Sequence, residues 1–249
     1  MLIRKSLSFH TILPRVTLIL VAGSAATLLS PIVTSYVRLL YVISGIMTFM
    51  TICSLIIRYR PRAFFWIISV IVLVGLWGWL GSSAVDQQSL RSAYVRELSL
   101  FQGTPFVWGG ETRHGIDCSG LARTALWRAM LKEGIQHRNP RLLGPMLWKF
   151  WWKDLSANSI LSNPYGYTRI IGHCESLSEP NSLKLDHTSL RPGDLAVTDS
   201  GEHVMVFLKG GIWIEASPAD WKVVANPVEG STRGYFNMPV TLLRWWMFE

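Results

Sequence analysis

FQGTPFVWGGETRHGIDCSGLARTALWRAML, residues 101–131, falls into two halves of opposite character. The first is rich in Gly and Pro and reads as loop. From Ser119 onward, Leu121, Ala125, Leu126, Ala129 and Met130 recur at the spacing of a helix with one buried face. Cys118 therefore stands at a loop-to-helix junction. The unpaired amides of a first helical turn and the positive end of the helix dipole favour an anion there, so a thiolate is stabilised. The same amides can receive the oxyanion formed when a carbonyl is attacked. Gly120 permits close approach of neighbouring backbone, and Asp117 reads as the helix cap.

A base for this thiol is offered by LRPGDLAVTDSGEHVMVFLKGGIWIEASP, residues 190–218. Val204 to Leu208 and Ile212 to Ala216 are strand-like, and Lys209, Gly210 and Gly211 join them as a hairpin. His203 opens the first strand and Glu215 lies near the end of the second, nearly opposite, within about one residue of register. A carboxylate there can hold one imidazole nitrogen and turn the other toward a thiol. Taken singly, each residue has a plainer reading: a structural Cys, a hydrogen-bonded surface His, a solvated strand Glu.

Upstream, residues 86–100 (DQQSLRSAYVRELSL) carry Leu90, Tyr94 and Leu98 at helical spacing and read as an amphipathic helix. Before Asp86 the chain changes character. The first 85 residues hold seven basic side chains and no Asp or Glu; the rest holds 17 basic against 16 acidic, so the net +8 belongs to the N-terminal third. No basic patch of the kind nucleic-acid binding requires is visible. Three uncharged apolar stretches, Thr17 to Val37, Leu39 to Ile57 and Ala63 to Val85, are each near the roughly 20 residues that cross a bilayer as a helix. The expected division is thus a membrane anchor of three transmembrane helices over 1–85 and a catalytic domain over 86–249.

Orientation follows from the loops, because short cytoplasmic loops accumulate Lys and Arg. Arg4, Lys5 and Arg15 mark the N-terminus, and Arg58, Arg60 and Arg62 mark the second loop, as cytoplasmic; the first loop has only Arg38. Three crossings then leave residues 86–249 outside, on a multi-pass membrane protein. No acidic residue falls in the spans, which removes the usual signature of proton or cation transport. Cys53, Cys118 and Cys174 are too scattered for a disulfide framework, and no CxxC pair or zinc spacing appears. Neither metal nor cofactor is expected.

GTPFVWGG, GIDCSGL opening a helix, LRPGDL leading a strand, and HVMVFLKGGIWIEAS together resemble the NlpC/p60 family of cell-wall cysteine peptidases. The resemblance implies an α+β, papain-like fold with the Cys-bearing helix packed on an antiparallel sheet. It implies Cys118 as nucleophile, His203 as general base and Glu215 as the residue that orients the base, where the family most often has a His. Phe106 stands where a Tyr is common, and Phe106, Trp108, Asp117 and Ser119 are expected to line the substrate. The implied reaction is hydrolysis of amide bonds in peptidoglycan stem peptides through a thioester. Two other functions stay open: acyl transfer or lipid hydrolysis on the same scaffold, and a catalytically silent wall-binding protein. Residues 131–189 form an insertion dense in Trp148, Trp151 and Trp152. It reads as a groove wall, as a surface resting on the membrane, or as an extra helix filling core.

Overall fold

The computed structural model describes residues 9–59, 61–80, 84–178, 190–229 and 231–249. It begins with three apolar helices, α1 (Phe9–Thr27), α2 (Ser35–Tyr59) and α3 (Pro61–Leu80). The first expected span, Thr17 to Val37, runs across a turn instead of through one helix. Pro31 has no N–H to continue a helical ladder and disfavours helix in the residue before it. Thr34 then starts the next helix, its hydroxyl accepting from the Val37 amide at 3.4 Å. Arg38 consequently lies in the first turn of α2, not in the loop. Thr17 and Thr51 hydroxyls, 2.7 Å apart, tie α1 to α2.

Of the three expected spans, one meets the length and apolarity needed to cross a membrane among the described residues: Ser35–Ile57, little of which is covered by the rest of the protein. Ile12–Thr27 and Phe65–Leu76 are shorter apolar helices. The turn at Pro31 removes ten residues that the first span was expected to use. Arg4, Lys5, Arg60 and His187 lie outside the described residues.

α4 (Gln87–Ser99) is capped by Asp86, whose carboxylate accepts from the Gln88 and Ser89 amides at 3.0 and 3.1 Å. It buries Leu90, Tyr94 and Leu98 against α5 (Cys118–Gln136), which in turn buries Leu121, Ala122, Ala125, Leu126, Ala129 and Met130. Between them lies a two-stranded ribbon, β1 (Glu111–Thr112) and β2 (Gly115–Ile116). The insertion contributes α6 (Pro140–Leu143), α7 (Pro145–Trp152), α8 (Ala157–Ser162) and an edge strand, β3 (Thr168–Cys174). Then follow β4 (Leu195–Thr198), β5 (Val204–Lys209), β6 (Ile212–Ser217), β7 (Lys222–Pro227) and β8 (Val240–Trp245). These six form one antiparallel sheet in the order β3-β8-β4-β5-β6-β7, with α5 packed across β5 and β6.

The insertion fills core in part. Phe150 is buried and meets Tyr167 and Trp245 edge-on at 5.5 and 5.6 Å, so it fills core. Trp148, Trp151 and Trp152 instead pack on one another, with Trp148 half exposed.

Asp194, the acid of LRPGDL, is completely buried where β4 begins. It takes a two-pronged contact from Arg244 at 2.7 and 2.8 Å, a third from Arg91 at 3.2 Å and the Arg191 amide at 2.8 Å, joining α4, β4 and β8.

The turn between α1 and α2 docks on the loop that leads into α5. The Glu111 amide donates to the Pro31 carbonyl at 2.9 Å, and Ile32 bridges Gly110. The buried Arg38 meets both Glu111 oxygens at 2.6 and 2.7 Å, and Arg123 of α5 reaches the same carboxylate at 2.6 Å.

Candidate active site

Cys118 is the first residue of α5 and is 8% exposed. Asp117 caps the helix: Oδ1 accepts from the Gly120 amide at 2.6 Å and from the Ser119 hydroxyl at 2.9 Å, while Oδ2 accepts from the Gly109 amide at 2.8 Å. The Asp117 amide donates to the Gly110 carbonyl at 3.1 Å, so the loop is stitched to the helix start in both directions. This crossing explains Gly120, because a Cβ there would lie 2.2 Å from the Gly110 oxygen. Any side chain at 120 would push the loop off the helix that carries the thiol.

His203 precedes β5 and is 2% exposed. Its turn is gripped by Thr198 at the end of β4, whose hydroxyl oxygen accepts from the Glu202 and His203 amides at 3.1 and 3.0 Å. Across the hairpin Val206 pairs with Ile214. Continued outward, that ladder sets Ser217 opposite His203, so Glu215 is the diagonal neighbour on the same face, one step further from register than expected. The diagonal is within reach of a long side chain. Glu215 Oε2 lies 2.6 Å from His203 Nε2, and both residues are buried.

With Nε2 committed to Glu215, Nδ1 is the ring nitrogen left for Cys118, whose thiol donates to the carbonyl of the neighbouring Glu202 at 3.9 Å and lies close enough to act on the imidazole. Burial alone would push the imidazole pKa down. The hydrogen bonds and charges of Cys118 and Glu215 outweigh that and hold it up at about 9. The Tyr235 ring stacks on the imidazole, 3.9 Å between centroids and 12° from parallel, on the face the hairpin leaves open. Burial and the charges of Cys118, Glu202 and Glu215 raise the Tyr235 phenol above its ordinary value.

Behind Glu215 stands Arg233, whose guanidinium reaches Oε1 at 3.4 Å and is itself held by Asp220. With its side-chain amide turned over, Asn226 accepts from Arg233 Nε and Nη2 at 3.2 Å. Asp220 anchors Arg233, which steadies Glu215, which orients His203. The sequence reading passed over Arg233, Asp220 and Tyr235. A buried carboxylate calls for a cation nearby, yet nothing in the pattern says which of the many Arg and Lys residues supplies it.

Among the other expected site residues, Phe106 is half-buried and bridges Ile116, two positions before Cys118, with its amide donating to the Trp221 carbonyl. Trp108 stands out from the same loop, 76% exposed. Ser119 is buried and spends its hydroxyl on Asp117. His137 lies 3.3 Å from Glu133, and His173 meets the Thr241 hydroxyl at 3.1 Å, both away from the thiol's partners. No disulfide joins the three cysteines. Among the described residues no group of three or more His, Cys, Asp or Glu side chains is placed to hold a metal.

The model of one family, described as NlpC/P60, matches residues 103–239, more than half of the chain, and spans both the Cys118 and His203 segments. The chain belongs to the NlpC/P60 family. Among solved structures it is similar to the NlpC/p60 domain of the peptidoglycan hydrolase SagA, at 22% identity over 62% of this chain and 97% of that one, with a TM-score of 0.38. It is also similar to the peptidoglycan hydrolase RipB from Mycobacterium tuberculosis, at 21% identity over 63% of this chain and 65% of that one (TM-score 0.37). NlpC1 from Trichomonas vaginalis matches at 17% identity over 67% of this chain and 46% of that one (TM-score 0.40). No curated protein matches the chain.

Proposed function

We propose that this NlpC/P60 protein is a membrane-anchored cysteine peptidase that hydrolyses amide bonds in the peptide stems of peptidoglycan. The observation that carries the reading is the buried chain from Glu215 through His203 to Cys118 at the start of a helix. In it, the Cys118 proton has passed to His203 Nδ1, where an imidazole held at about 9 keeps it at neutral pH, and the thiolate attacks a carbonyl carbon. Asp117 occupies the Gly120 amide, so the Cys118 and Ser119 amides are the donors nearest the developing oxyanion. The imidazolium, steadied by Glu215, protonates the leaving amine, and water then releases the acyl group from sulfur. Phe106 and Trp108, on the loop beside the thiol, are the substrate-facing residues of this reading, with Trp108 offering an exposed ring.

Peptidoglycan as substrate is supported by family membership and by the hydrolase names of SagA and RipB. Anchoring is supported by α2, by the apolar helices beside it and by the absence of acidic residues before Asp86. In this reading all three helices cross, the N-terminus is cytoplasmic and residues 86–249 lie outside. The contact of Pro31, Ile32 and Arg38 with Gly110 and Glu111 accords with it, since the first loop and the catalytic part then share one side of the membrane.

The test incubates the purified chain, and Cys118→Ala, with muropeptides and with phospholipids, and identifies products by mass spectrometry. Peptide fragments whose masses sum to substrate plus one water, lost in the variant, are expected. Lipid products, or fragments that persist in Cys118→Ala, overturn the reading.

A further inference from the structure

A cavity of about 460 Å³ lies where the α1–α2 turn meets the catalytic part of the chain, within the size range of small-molecule sites. The hairpin contributes Leu28, Val33 and Tyr41 to its wall; the catalytic part contributes Phe101, Trp127 and Trp151. Cys118, His203 and Glu215 are not among the lining residues, so the cavity is separate from the hydrolytic site, although α5 forms part of both.

Its polar groups are lopsided. Arg113, Arg123 and Arg128 face it against one carboxylate, Glu111, which Arg38 and Arg123 already bind. Arg128 is paired with Glu97 and Arg123 also with Asp154, so the surplus rests on Arg113, which has no carboxylate partner among the described residues and lies over the Phe101 ring at 6.0 Å. Two buried donors in the lining, Trp127 Nε1 and Arg123 Nε, have no acceptor among the described residues, and Arg123 is only 5% exposed. Buried N–H groups left unpaired are costly and rare in folded proteins. The cavity thus combines surplus positive charge, unanswered donors and apolar walls.

We propose that this cavity binds an anionic glycerophospholipid, the phosphate oxygens meeting Arg113 and the Trp127 and Arg123 donors, and the upper acyl chain covering the apolar wall. The inference rests on the anchoring reading above. A soluble anion would satisfy the donors and leave the apolar walls uncovered; an uncharged lipid would do the reverse. Leu28, at the end of α1, lines the cavity and is itself exposed, as is Leu29 beside it, which offers an apolar surface along which a chain would extend. A bound lipid also braces the loop that caps the nucleophile's helix, because Glu111 joins the hairpin to Gly110, and Gly110 to Asp117.

The test uses the full chain in a non-ionic detergent, titrated with phosphatidylglycerol, phosphatidylcholine and inorganic phosphate and read by native mass spectrometry. Retention of phosphatidylglycerol over phosphatidylcholine is expected. Trp127→Phe, which keeps the ring and deletes the N–H, and Arg113→Gln on the exposed loop should each weaken retention about tenfold, with lipid-free thermal midpoints unchanged. Equal retention of both lipids, full competition by inorganic phosphate, or undiminished binding in both variants overturns the proposal. Alkaline carbonate extraction separates the two readings. A chain that stays in membranes yet ignores phosphatidylglycerol loses only the lipid site, whereas a chain that carbonate releases loses the anchor, whatever it binds.

Discussion

Asp194 and Glu215 are both buried in the NlpC/P60 part of the chain, and they are answered in opposite ways. Asp194 meets two guanidinium groups and a backbone amide, none of which gives up a proton at physiological pH, so its charge is locked into the framework. Glu215 meets an imidazole at 2.6 Å and only a distant arginine at 3.4 Å. Its chief partner can lose its proton, and the energy of the pair therefore depends on the protonation state of the site. A buried carboxylate becomes structural or chemical according to whether its cation is permanent.

The sharpest way to break this contrast is to substitute both acids. Glu215→Gln keeps the shape and deletes the charge. It should lower kcat/KM on the order of 10²–10⁴-fold with a small change in thermal stability, measured by muropeptide turnover and calorimetry. Asp194→Ala takes the shared carboxylate from the buried Arg91 and the partly buried Arg244 and should cost about 3 kcal/mol of stability, read by denaturant unfolding, while the pH profile of whatever remains folded stays put. An Asp194 variant that keeps full stability would remove the basis for calling that site structural.

A smaller effect is the pH dependence. His203 is held at about 9, above its ordinary value of 6.5, so the folded chain binds a proton there that the unfolded chain releases earlier. The stabilisation it brings is complete below about 6.5 and fades as pH rises through about 9. Activity that needs the imidazolium should fall about tenfold per pH unit above 9, and thermal midpoints measured across that range should decline with it. A profile flat to pH 10 would mean that the proton on His203 is not what the site uses.

Arg233→Gln should give the smallest change. Its cation opposes the pull of Glu215 on the imidazolium, so its loss should move the basic limb of the pH profile upward by less than about one unit and slow turnover only a few-fold. A role confined to holding the fold would lower stability and leave the limb in place, and Arg233→Lys should restore the limb in part.

Local signals carried much of this. The helix over residues 86–100, the helix opening at Cys118 with Asp117 as its cap, and the hairpin of β5 and β6 each rest on a pattern confined to a dozen residues, and each formed within one or two positions of expectation. The pairing of His203 with Glu215 was legible for the same reason, although the two are diagonal and not directly opposite, and it takes the bulge between Phe207 and Lys209 to bring Glu215 onto the face of His203. What escaped was non-local. Arg233 reaches Glu215 from a loop eighteen residues away, and β3 finds its neighbour β8 about seventy residues later, with no periodicity to announce either. The apolar N-terminal third was conspicuous, but apolarity does not mark where one helix stops. Pro31 did that, and Arg38 moved from loop to helix as a result.

The sheet order has a temporal consequence. β8 is the latest strand in chain order, yet it sits between β3 and β4, so β3 has no hydrogen-bonded neighbour until residues 240–245 arrive. Pairings so distant along a chain form slowly, because the loop between them must close first. The sheet beneath Cys118 and His203 is therefore complete only once β8 has been made and has slotted between β3 and β4.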